Sequence, residues 1–178
     1  MCLGMSDLGI FKWTEILLGS DALKRIKEKK VIIFGVGGVG SWCAEALIRS
    51  GIEHLTIVDF DEVCETNINR QLMATTATIG DKKVEALKKR LIEINPNAEV
   101  NTIQAIYSKE NYNEFQIQNY DYCIDAIDSL DNKIHLMQTA CKTSTTLFSS
   151  MGAALKMDPT KVRVAEFWKI KGCPMAAS

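Results

Sequence analysis

The stretch Gly35-Val36-Gly37-Gly38-Val39-Gly40 carries the strongest chemical signal in the sequence. Gly35 allows a tight turn, Gly37 and Gly38 let backbone N–H groups approach a phosphate, and Gly40 lets the next helix pack on the preceding strand. A helix starting at Ser41 would present free N–H groups and partial positive charge to an anion. Asp59 follows 19 residues after Gly40, a spacing that suits a carboxylate accepting hydrogen bonds from ribose hydroxyls. Further along come Arg70, flanked by Asn67, Asn69 and Gln71, the adjacent Lys82 and Lys83, and Asp128 in the run Ile124-Asp125-Ala126-Ile127-Asp128-Ser129. Arginine and lysine balance phosphoryl charge, and a carboxylate can hold a magnesium ion, so this set suits a triphosphate. Each charged group also has a plainer reading: a solvated helix face for Lys82 and Lys83, a loop salt bridge to Asp61 or Glu62 for Arg70.

To act together these residues need strands and helices that bring them to one edge. Val31–Phe34 reads as a strand ending at the glycine loop, Ser41–Arg49 as a helix stopped by Gly51, and Leu55–Val58 as a second strand ending at Asp59. A polar loop over 61–71 leads to a helix from Asp81 to Ile94, where Val84, Leu87, Leu91 and Ile94 recur at helical spacing before Pro96. Val100–Ile106 is a weaker strand and Tyr122–Ile127 a strong one, ending at Asp128. Leu130, Ile134, Met137 and Cys141 then carry a helical stripe, and a strand follows over Thr146–Ser150. Before all of these, Thr14–Lys30 reads as helix broken near Gly19, with Ser20 or Asp21 as cap. After them, the Asp158-Pro159 turn leads to an extended piece over Lys161–Trp168. Strands alternating with helices predict an α/β, Rossmann-like, doubly wound and mostly parallel sheet with helices on both faces. In such sheets ligands sit at the carboxyl ends of the strands, where Asp128 falls.

Composition narrows the class. In 178 residues, 47% hydrophobic and 24% charged, there is room for one domain with a proper core, and the expected layout is a single nucleotide-binding domain over 1–178 with residues 1–30 as a helical preface. A formal net charge of −1 excludes a strongly basic nucleic-acid binder, so any RNA contact must come from a local patch. No apolar run approaches the roughly 18 residues of a membrane span, and the N-terminus lacks a secretion signal. Six cysteines without a Cys-x-x-Cys pair read as incidental thiols of a reducing cytoplasm. A dinucleotide dehydrogenase would use the same glycine loop, but it also wants a proton-transfer group, commonly His. The two histidines, His54 and His135, read as surface or core residues.

GVGGVG, LTIVDFD, NINRQ, GDKKVEALKKRLIEINP and CIDAIDS together resemble the adenylating enzymes of the ubiquitin-activating type, a superfamily that includes the adenylyltransferases of thiamine and molybdopterin synthesis. The likeness runs from about Thr14 to Ala165. VCETNINRQ, the Asp-Ala-Ile-Asp-Ser strand end and the turn at Asp158 are most similar to one branch, the tRNA threonylcarbamoyladenosine dehydratases. The resemblance implies ATP and magnesium as cofactors, and a substrate carboxylate in tRNA that is adenylated and cyclises with loss of water. By the same resemblance Gly38 meets the phosphates and Asp59 the ribose. Asn67, Arg70 and Gln71 fall on the nucleotide-facing loop, with Asp61 and Ser129 beside the ATP site. Lys83, rather than Lys82, would touch the phosphates, and Asp128 would hold the metal, making Arg70, Lys83 and Asp128 the catalytic set. A homodimer is also implied.

The sequence departs from the family in three places. Trp13 stands where relatives carry an Arg that reaches a partner subunit, with Lys12 beside it. The segment Met151–Ala154 has fewer glycines, and the chain is expected to be shortened at its C-terminus. Lysine-rich stretches at 24–30 and 82–90 are candidate tRNA contacts. Adenylation of the C-terminus of a ubiquitin-like sulfur carrier or other sulfur-relay protein is the alternative within the same chemistry. A nucleotide-binding module without chemistry is the alternative outside it.

Overall fold

The computed structural model describes residues 9–152, 157–171 and 173. Ten regular elements carry the architecture: α1 (Lys12–Leu18), α2 (Ser20–Lys27), β1 (Lys30–Phe34), α3 (Gly40–Ser50), β2 (His54–Val58), α4 (Lys83–Ile94), β3 (Glu99–Ile103), β4 (Tyr122–Asp125), α5 (Leu130–Ala140) and β5 (Thr146–Ser149). The five strands form one parallel sheet in the order β3-β2-β1-β4-β5. The chain winds outward from β1 in one direction, then returns to β4 and winds the other way. The expected doubly wound fold is therefore the observed one, with the crevice between β1 and β4 as its switch point.

Both sheet faces are covered, which is why β1 and β2 are continuous apolar runs rather than alternating ones. On one face Val31, Ile33, Leu55 and Ile57 pack against Ala44 and Ile48 of α3 and Val84, Leu87 and Leu91 of α4. On the other, Ile32, Phe34, Val58 and Cys123 meet Leu136 and Ala140 of α5, together with Tyr107 from the loop after β3 and Phe115 and Ile117 from two short 3-10 turns. Phe34 makes edge-to-face contacts with Tyr107 and Phe115, which are tilted on each other, with centroids 5.0–5.5 Å apart.

Several sequence expectations shift in detail. The N-terminal helix does break at Gly19, but Gly19 itself occupies the cap position of α2, and the Ser20 hydroxyl donates to Glu15 instead. α4 begins at Lys83 rather than Asp81, because the Asp81 carbonyl accepts the Val63 N–H and holds that residue in the loop. β3 ends at Ile103, freeing Ala105 and Ile106 to turn toward the crevice. The stripe on α5 is out of phase: Lys133, Leu136 and Ala140 are buried, whereas Ile134 and Cys141 are exposed. The segment after Asp158 adds no strand, forming short 3-10 turns at Pro159–Lys161 and Phe167–Lys169. Residues 1–8, including Cys2, and the glycine-poor positions Ala153 and Ala154 lie outside the described residues.

Candidate functional site

A cleft of about 750 Å³ opens at the carboxyl end of β1 and β4. Gly35, Gly37, Gly38, Asp59, Asp61, Asn67, Arg70, Gln71, Lys83 and Asp128 all line it. The glycine loop shows why each glycine is there. Gly35 has φ +84°, and a Cβ on it would stand 2.6 Å from the Ala126 carbonyl, so the crossing of β1 and β4 demands glycine. At Gly40 a Cβ would run into the Gly35 carbonyl, so this residue lies beneath the loop and outside the cleft lining. Gly37 and Gly38 differ: added Cβ atoms would find ordinary contacts no closer than 3.5 Å. Nothing in the protein itself forbids a side chain there; what glycine keeps open is the cleft. α3 begins under this loop without a side-chain cap, and its Ser41 N–H donates to the Gly37 carbonyl at 3.2 Å.

The second wall comes from the chain after β2. Asp59 is held by backbone on both oxygens, accepting the Val36 N–H at 2.8 Å and the Asp61 N–H at 3.0 Å. Each oxygen retains a lone pair for a ligand hydroxyl. Arg70 pairs with neither Asp61 nor Glu62. One guanidinium nitrogen donates to the Thr66 carbonyl at 2.7 Å and to Asn69 Oδ1 at 3.1 Å, leaving the remaining N–H groups of the fork available. The Trp42 indole holds the Arg70 carbonyl at 3.0 Å. Asp61 instead pairs with Lys83, whose Nζ is 2.6 Å away and whose side chain is only 6% exposed. Lys82 points outward as an exposed residue, so of the two lysines it is Lys83 that faces the cleft. Asn67 Oδ1 accepts the Cys64 N–H, and Gln71 Oε1 is buried with no partner among the described residues, a polar atom left open at the cleft wall.

Asp128 stands across from these groups, exposed and without a side-chain partner among the described residues. Magnesium favours one or two carboxylates combined with phosphate oxygens and water, and a single free carboxylate facing a phosphate-sized cleft fits that role. Among the described residues, no cluster of three or more His, Cys, Asp or Glu side chains could hold an ion alone. Ser129 occupies the position before α5 without a side-chain capping bond, outside the cleft lining. Neither histidine lines the cleft: His54 Nδ1 lies 3.0 Å from Glu99 Oε2, and His135 Nδ1 lies 3.0 Å from the Tyr107 hydroxyl. The histidine that the dehydrogenase reading wants for proton transfer is thus not in this cleft.

Two positions escaped the sequence reading. Ser41 is fully buried; its hydroxyl donates to the Gly37 carbonyl at 2.6 Å and accepts the Leu72 N–H at 3.2 Å, tying the glycine loop to the arginine loop. Lys133 is 1% exposed and forms an ion pair with the buried Asp125 at 2.7 Å. A serine opening a helix and a lysine within one have no sequence feature that sets them apart from capping and solvated residues. The Cys123 thiol is pushed up to about 12, by burial first and by Asp125 second, so it is protonated and unreactive at neutral pH.

A tRNA threonylcarbamoyladenosine dehydratase of Bacillus subtilis is 44% identical over 166 residues, covering 93% of this chain and 65% of the relative. The Escherichia coli protein of the same name is 36% identical over 167 residues, covering 94% of this chain and 62% of its own length. The chain therefore spans a little under two thirds of the curated relatives it matches. A crystal structure of the Escherichia coli tRNA N6-threonylcarbamoyladenosine dehydratase in complex with ATP superposes with a TM-score of 0.94 at 34% identity, covering 99% of this chain and 73% of that one. The model of the ThiF family matches residues 12–173, nearly the whole length, and the chain belongs to that family.

Proposed function

We propose that this chain binds ATP in the cleft and adenylates a carboxylate, with the carboxylate of threonylcarbamoyladenosine in tRNA as the substrate. One observation carries the reading: an open glycine loop, a ribose-type carboxylate, a guanidinium, an ammonium and a free carboxylate all face one cavity of nucleotide size. The solved relative's complex with ATP and the names of the relatives support the choice of nucleotide and substrate.

In this reading Gly37, Gly38 and the start of α3 receive the phosphates, and Asp59 takes the ribose hydroxyls. The substrate carboxylate attacks the α-phosphorus, the bond to pyrophosphate breaks, and an acyl-adenylate forms. A nucleophile within the same modified nucleoside then displaces AMP and closes a ring, for net loss of one water. Arg70 and Lys83 balance the charge that builds on the phosphoryl oxygens. Lys83 keeps two of its three N–H donors free beside Asp61. Asp128 would hold magnesium, which supplies positive charge for the departing pyrophosphate. Arg70→Ala and Asp128→Ala should each remove ATP–pyrophosphate exchange while the chain stays folded.

Lys24, Arg25, Lys82, Lys88 and Lys89 have no ion-pair partner among the described residues, whereas Lys27, Lys29 and Arg90 are engaged with Glu53, Asp121 and Glu45. The unpaired set is where we place tRNA phosphates, with binding that falls steeply as salt is added. Trp13, Ile16 and Leu17 share one face of α1 and are each more than 60% exposed, which supports a homodimer that covers them. No helix among the described residues is long and apolar enough to cross a membrane. A cytoplasmic location is part of the proposal and follows from the proposed tRNA substrate. The test is mass spectrometry of tRNA nucleosides after incubation with ATP and magnesium. Threonylcarbamoyladenosine lighter by one water is the expected product; consumption of ATP only with a sulfur-carrier protein, or no turnover with either, would overturn the assignment.

A further inference from the structure

The phosphate end of the cleft has two walls from different strands. Ala126–Asp128 follow β4, and Ser150–Gly152 follow β5. One buried carboxylate joins them. Asp125, the last residue of β4, is fully buried; its Oδ1 accepts the Ile127 N–H at 3.1 Å, one residue before Asp128. Its Oδ2 accepts the Ser149 hydroxyl at 2.6 Å and the Lys133 ammonium at 2.7 Å. The Ser149 hydroxyl oxygen in turn accepts the Met151 N–H at 3.3 Å, and the Asp125 carbonyl accepts the Ser150 N–H at 2.9 Å. Met151 has φ +50°, which a non-glycine residue adopts only when its surroundings hold it there. Lys133 anchors the cluster to α5, the helix that starts directly after Asp128. None of Asp125, Lys133 or Ser149 lines the cleft. A buried ion pair is a weak device for stability, since apolar residues of the same volume serve as well. Hydrogen bonds to both cleft walls give it a specific use.

We propose that Asp125, Lys133 and Ser149 form a buried positioning unit that locks the two walls together and fixes where Asp128 stands relative to the glycine loop. The unit touches neither nucleotide nor metal. The proposal rests on the adenylation reading only for what Asp128 meets in the cleft.

Asp125→Ala would strand the Lys133 ammonium in the core and unfold the chain. Ser149→Ala is the cleaner perturbation, because it cuts the link between the walls and leaves the ion pair whole. Amide hydrogen exchange, followed residue by residue without nucleotide, should be roughly tenfold faster at Ile127 and Met151 in Ser149→Ala, as expected for loss of one hydrogen bond. Exchange in β1 and α3 should be unchanged, and Ser149→Thr, which keeps the hydroxyl, should restore protection. With ATP, the gain in affinity that magnesium confers should shrink by a similar factor in Ser149→Ala, with magnesium-free affinity unaltered. Unchanged exchange at Ile127 and Met151 in Ser149→Ala, or failure of Ser149→Thr to restore it, overturns the proposal. A wild-type chain whose ATP affinity is indifferent to magnesium counts against the role given to Asp128, while the exchange result still judges the positioning unit.

Discussion

Lys83→Met separates two contributions of one ammonium. The methionine keeps most of the buried stem, so the packing of α4 on the sheet is retained. What is lost from stability is the pair with Asp61, whose own side chain is 44% exposed and regains water when released. Such a half-exposed pair contributes about 1 kcal/mol or less, which in a chain of this size moves the thermal midpoint by roughly 2–4 °C. Loss of a charged contact to the reacting phosphoryl group is far larger, about 3–4 kcal/mol, or a hundredfold and more in rate. The assay is pyrophosphate release at saturating ATP, paired with a melting curve. Turnover within about threefold of wild type would refute the assignment of Lys83 to the phosphates. Asp61→Ala should show the opposite signature. It leaves the Lys83 ammonium, whose side chain is only 6% exposed, without its partner, so its midpoint should fall below that of Lys83→Met.

The glycines give a second pair of outcomes. Gly40→Ala forces a methyl into the Gly35 carbonyl and should fail to yield soluble folded protein, whereas Gly38→Ala should melt close to wild type yet lose ATP affinity by calorimetry. The third prediction concerns acid stability. The Asp121 carboxyl is held below its ordinary value of 3.8, chiefly by the hydrogen bond from Lys29 and then by that from the Lys30 N–H, which together tie the start of β1 to β4. A carboxyl lowered in the folded state stabilises fully above its unfolded pKa and loses that contribution as pH falls through the folded one. Asp121→Asn should therefore melt below wild type at neutral pH, and the two curves should converge as pH drops below 3.8; a constant gap would contradict this.

Much of this was legible in the residues. The run Val31–Gly40 reads as a strand feeding a glycine loop and a helix, and Asp59 ends the next strand; the structure has both, on the same side of the cleft. Choosing Lys83 over Lys82 came from family resemblance, and the physical difference between them, one buried against Asp61 and one exposed, lies in tertiary packing. The buried face of α5 departs from its apolar stripe because Lys133 occupies a core position, and an apolar pattern cannot register a lysine neutralised by a carboxylate from another element. The piece after Asp158 has apolar residues at strand-like spacing, yet Val164 and Trp168 are both 90% exposed and no neighbouring strand pairs with them among the described residues. Local pattern reports what a segment can do; pairing depends on what lies beside it.

The most direct measurement follows an oxygen atom. Threonylcarbamoyladenosine tRNA carrying 18O in its carboxylate is incubated with the chain, ATP and magnesium, and the AMP is analysed by mass spectrometry. Attack of the carboxylate on the α-phosphorus predicts one heavy oxygen in AMP together with dehydrated nucleoside in the tRNA. Unlabelled AMP, or the label in inorganic phosphate alongside ADP, would contradict adenylation in this cleft.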